Sequence, residues 1–279
     1  MLRRCSIWAL TGALLLTWGI AAARAGGDMK YPDWEGQWVR LGNGGVFDPT
    51  KALARAQQIP YTPEYQAVWD KVLADALAGG QKYNPQIHCY PSGMPRMMMA
   101  YDPMQMIVTP NITYVQVSFA SEFRRIYTDG RDWPDNPPKS FSGYSIGKWV
   151  DEDGDGSYDV LEVETRALRG PRTFDGLGSP LHEDDQTIIK ERLYLDKADE
   201  NVLSDEITTI DHALSRPWTV TRSYQRDRHE TWLENFCAES NQYLLIGGET
   251  VVRSMDGYLM PTKKGQPPPD LRYFSQPPK

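Results

Sequence analysis

Carboxylates recur at every second position from Asp151 to Asp155, followed by Gly156 and then Glu162. This fits the calcium-loop pattern D-x-[DN]-x-[DN]-G-x5-E at every defined position. Ser157 and Asp159 fall where such loops add oxygen ligands, so the expected set is Asp151, Asp153, Asp155, Ser157, Asp159 and Glu162. Calcium suits it because the ion takes about six to eight hard oxygens and the glycine permits a sharp bend. An EF-hand carries helices on both sides. Here Tyr144 to Trp149 and Asp159 to Thr165 have the period of two of strands. The expectation is a calcium loop on a β-hairpin, with the ion in a structural role. A solvated acidic turn is the alternative.

A second group of candidates is spread over the strand-like segments. Acids and arginines recur there, on what is either the solvated face of a sheet or a polar barrel lumen. If they converge on a bound molecule, the leading candidates are Glu122, Arg125, Glu164, Glu191 and His182. His182, in Leu-His-Glu-Asp-Asp, and His212, after Asp211, titrate near neutrality, and either suits a general base beside a carboxylate. The assignment depends on register, because a slip of one residue turns a whole strand over. Gly143-Tyr-Ser145-Ile-Gly147 matches the nucleophile elbow of α/β-hydrolases. Lys148, Trp149 and the acidic turn leave no room for the helix that motif needs, so these glycines are expected to mark a bend in a strand.

The elements that must position these residues are short. Arg3 and Arg4, an apolar run from Ile7 to Ala23 and Ala23-Arg24-Ala25 predict a secretory signal peptide over 1–25. The chain is then expected to be periplasmic or secreted, with no other stretch of membrane-spanning length. Loss of Arg3, Arg4 and Arg24, with no acid among residues 1–25, takes the formal charge from −7 to −10. Such an acidic balance argues against nucleic acid and anionic lipid as partners. Cys5 leaves with the signal, and Cys89 and Cys237 remain as an even pair for a disulfide in an oxidising compartment.

Residues 26–279 are expected to form one domain. Thr62-Pro63-Glu64 predicts a helix start, with apolar residues from Tyr65 to Leu77 at helical spacing and Gly79-Gly80 at its end. The methionines between Met94 and Met106 suit either core or an adaptable apolar wall. From Gln105 onward about ten strands follow one another, with a proline-rich tail after Pro261. Evenly spaced strands joined by turns predict an all-β, antiparallel, meandering barrel with an N-terminal helical segment; a β-sandwich is the alternative. Gly36-x-Trp38 is similar to the opening of lipocalin barrels, where the tryptophan closes one end.

Five segments carry a wider resemblance: Cys89-x-Pro91-x-Gly93-x-Pro95-Arg96, Arg125-Ile-Tyr-x-Asp129-Gly130-Arg131, Gly143-x-Ser145-Ile-Gly147-x-Trp149, Glu191-Arg192 and Arg216-Pro217-Trp218-Thr219. Together they resemble a group of exported bacterial β-rich proteins without an assigned activity. The resemblance implies no reaction, and the Asp-rich turn departs from it. The expectation is a barrel that binds a small apolar or aromatic molecule. Any catalysis would be that of a cofactor-free lyase, isomerase or hydrolase, since no nucleotide or redox-cofactor motif is present. A non-enzymatic envelope or interaction protein is the alternative.

Overall fold

The strands from Gln37 to Asp227 hydrogen-bond in sequence order and the last returns to the first. The result is a closed barrel, seen in a computed structural model that describes residues 30–80, 84–99, 101–229, 231–237 and 241–267. The expected signal peptide and the end of the tail lie outside the described residues. The barrel strands are β1 (Gln37–Arg40), β2 (Met104–Val108), β3 (Ile112–Val117), β4 (Glu122–Tyr127), β5 (Tyr144–Val150), β6 (Val160–Arg166), β7 (Ile188–Leu195), β8 (Val202–Ile210) and β9 (Trp218–Asp227). A separate three-stranded sheet holds β10 (Tyr243–Ile246), β11 (Glu249–Arg253) and β12 (Leu259–Pro261). Residues 231–237 form no strand.

Pairing is antiparallel except at β4–β5, where Ile126 and Tyr127 pair in parallel with Ser145 and Ile146. Asp129-Gly130 therefore does not close a hairpin. A parallel junction needs a connection of about a dozen residues or more, which the proline-rich segment 128–143 supplies. Gly147 faces inward beside this junction, where a Cβ would meet Ile126 Cγ2 at 2.7 Å. The Gly-x-Ser-x-Gly motif thus serves close packing of two strands.

Alternation sets the core. Leu161, Val163 and Thr165 of β6 are buried, as are Ile189, Glu191 and Leu193 of β7, while Glu162 and Lys190 are exposed. The lumen is filled from one end by Arg96–Met99, a short 3-10 turn whose three methionines are buried. That turn brings carbonyl groups into an apolar interior, and buried carbonyls need donors. Arg222 Nε donates to Met98 O at 3.0 Å and Tyr224 Oη to the same oxygen at 2.5 Å. Trp38 is fully buried, with Arg226 stacked 4.7 Å from its ring centroid.

Helix α1 (Pro63–Leu77) starts as its sequence predicts: Thr62 Oγ1 accepts from Tyr65 N at 3.3 Å, and Pro63 takes the first turn. It buries Trp69, Val72 and Leu73. Residues 262–267 turn back against it rather than running extended, with Lys263 Nζ 2.8 Å from Asp75 Oδ1. Cys89 and Cys237 are disulfide-bonded across 148 positions, tying the segment before the methionine turn to the chain after β9. A closed loop of that length contributes ~4–5 kcal/mol in the loop-entropy picture.

Candidate functional site

The inner face of the barrel gathers two arginines and two acids. Arg124 of β4 donates to both Glu191 oxygens, at 2.8 and 2.5 Å, and further to Ser145 Oγ at 3.1 Å and Thr165 Oγ1 at 2.8 Å. Asp205 of β8 is fully buried, and neither carboxylate oxygen has a hydrogen-bond partner. Burial, then the negative charge of Glu191, pushes its pKa well above the carboxylate range, although Arg124 and Arg222 pull the other way. Arg222, as described, holds the methionine turn. Every donor and acceptor here except Asp205 is spent on the protein itself, so the arrangement organises a core and has no exposed reactive group.

The expected site residues divide accordingly. Glu191 lies in this cluster. Glu122 is buried at the barrel end, where it accepts the backbone N–H groups of Ser92 and of Gly93, the latter at 3.2 Å. Burial raises its pKa, against those hydrogen bonds. Arg125 and Glu164 face outward and do not join them: Arg125 lies over the Phe123 ring, and Glu164 pairs with Arg166 and with Lys190 at 3.6 Å. The inward arginine of β4 is Arg124, one position earlier. Asp205 and Tyr224 were not singled out by the sequence, since a lone acid or tyrosine in an alternating strand looks the same facing either way.

His182 belongs to the loop between β6 and β7, at the barrel end through which the methionine turn enters. There a cleft of about 530 Å3 opens between that loop, the segment around His88 and Tyr90, and Leu245 of β10. Its walls are apolar at Leu181, Pro180 and Leu245 and polar at His88, Arg172, His182, Glu183 and Asp185. Arg172 is almost wholly buried, and its guanidinium donates to Thr187 Oγ1 at 3.0 Å while Nε has no partner. Burial lowers the pKa of Arg172, and of His88 as well. The loop is fixed by Asp175, which accepts the N–H groups of Leu177, Gly178 and Ser179.

The acidic turn lies at the opposite end of the barrel, between β5 and β6. Asp151, Asp153 and Asp159 bring carboxylate oxygens within 4.8 Å of one another. Asp151 already accepts Gly154 N at 2.7 Å and Gly156 N at 2.9 Å. Asp155 and Ser157 stay outside this group, Asp155 Oδ1 accepting Ser157 N at 2.7 Å. Glu162 points outward from β6, 4.0 Å from Arg192 Nε. The structure thus assembles three of the six ligands expected for calcium.

No known protein family and no curated protein matches the sequence.

Proposed function

We propose that the protein is an exported small-molecule-binding barrel whose site is the cleft at the end where β6 passes to β7. The observation that carries this is the cleft itself. Its volume of about 530 Å3 falls within the range of ligand pockets, roughly 300–1,000 Å3, and a few polar groups converge on apolar walls as such pockets require. An apolar or aromatic body fits against Tyr90, Leu181 and Leu245. Arg172 and the two histidines supply the orienting polar contacts. Any reaction there is of the lyase, isomerase or hydrolase kind, since His182 beside carboxylates offers proton transfer.

The interaction-protein reading has one observation of its own. Leu233, Phe236, Tyr258 and Met260 are apolar side chains exposed by 49% or more in the chain after β9.

The two readings separate with 8-anilinonaphthalene-1-sulfonate, an aromatic anion whose fluorescence reports binding. We expect saturable binding that Leu245→Asp weakens at least tenfold and Leu233→Asp leaves unchanged. Leu245 and Leu233 are 58% and 55% exposed, so both variants should fold. The opposite pattern would transfer the function to the apolar patch.

A further inference from the structure

Two segments distant in sequence bring a pair of imidazoles onto one carboxylate beside the cleft. His182 Nδ1 lies 3.1 Å from Asp184 Oδ1, and His212 Nδ1 lies 2.5 Å from Asp184 Oδ2. One ligand atom from each of the three falls within 4.8 Å of the others. We propose that His182, Asp184 and His212 bind a divalent transition-metal ion of the zinc type. This site is distinct from the acidic turn and shares His182 with the cleft.

The donor set selects the ion class. Two imidazoles and one carboxylate suit zinc and its neighbours, whereas calcium and magnesium take oxygen ligands. Three protein ligands leave a coordination position open, the arrangement of metal sites that engage water or a ligand. His182 also lines the cleft, so that position is at its edge.

A separate observation shows that the site is built. Asp211 is buried and ties the two ligand-bearing segments together, accepting His182 N at 2.9 Å and Ala213 N at 2.8 Å with one oxygen. Its other oxygen accepts Thr187 Oγ1 at 2.5 Å. The Tyr65 ring packs 5.2 Å from the His182 ring and limits its rotation. His182 Nδ1 accepts the backbone N–H of Asp184 at 3.1 Å, so a metal bound at Nδ1 would take the place of that hydrogen bond.

The test is titration of the metal-free full chain with zinc chloride by calorimetry, repeated with cobalt(II) for its visible absorption. The expected result is one equivalent bound, with His182→Gln and His212→Gln each weakening affinity by at least about tenfold, a loss that even outer partners of metal ligands can cause. His229→Gln and Asp151→Asn should leave it unchanged, since both residues lie elsewhere. His212 has a side chain 68% exposed, so its substitution serves even if His182→Gln fails to fold. Absence of zinc binding in the parent protein overturns the proposal. So does undiminished binding in His212→Gln, or loss of binding in Asp151→Asn.

Discussion

Two places in this molecule crowd negative charge, and they solve the same problem in opposite ways. Inside the barrel, Glu191 and Asp205 sit beyond the reach of water, and one is paired with Arg124 while burial favours the protonated form of the other. At the far end, Asp151, Asp153 and Asp155 stand in solvent and are satisfied by backbone N–H groups of their own turn. The difference shows that carboxylate density alone does not locate a site. Burial decides whether a charge must be paired, protonated or simply hydrated.

The largest expected contrast comes from Arg124. Arg124→Met leaves Glu191 buried without its partner and should lower unfolding free energy by about 3–5 kcal/mol in urea. Adding Glu191→Met should recover most of the loss, because a matched apolar pair needs no compensation. Failure of the double variant to recover would mean that the pair does more than fill the lumen.

Asp205 gives a smaller effect whose sign follows from its raised pKa. Its contribution is complete below the usual carboxylate value of 3.8 and is lost as pH climbs toward the folded value, because the native state retains a proton that the unfolded chain releases. The decline is at most about 1.4 kcal/mol per pH unit. Asp205→Asn should match the parent near pH 4 and become more stable than it over about the next two pH units. Parallel stability curves over that range would place Asp205 in contact with water.

The acidic turn should respond least. Asp151→Ala removes acceptors for Gly154 and Gly156 that water replaces in part, at a cost of about 0.5–1.5 kcal/mol. Added salt should change the effect at the turn and leave the Arg124 variant untouched, since exposed charges are screened and buried ones are not. A loss at Asp151 as large as that at Arg124 would erase the comparison.

The helix start at Thr62 and the period of two on β6 were legible because they rest on local signals, but which face of β6 points inward was not: Glu164, expected in the lumen, faces outward. Nor was face choice on β4. Its hydrophobic pattern misleads: Phe123 is 44% exposed, whereas Arg124 is buried. Glu122 and Arg125, expected together, stand an odd number of positions apart and so occupy opposite faces of one strand. The inward turn of Arg124 follows from the buried carboxylate of Glu191, which requires a donor.

The sequence by itself determined the strand-rich character of the chain, the helix and the cysteine pair, all of which follow from spacing, caps and parity. Only the tertiary structure decided that β4 and β5 run parallel and that a loop plugs the lumen. It alone brought His182, Asp184 and His212 together at a cleft. The physical reason is range. Periodicity and capping act over a few residues, while closing a barrel and aligning its rim depend on pairings between strands that no local pattern encodes.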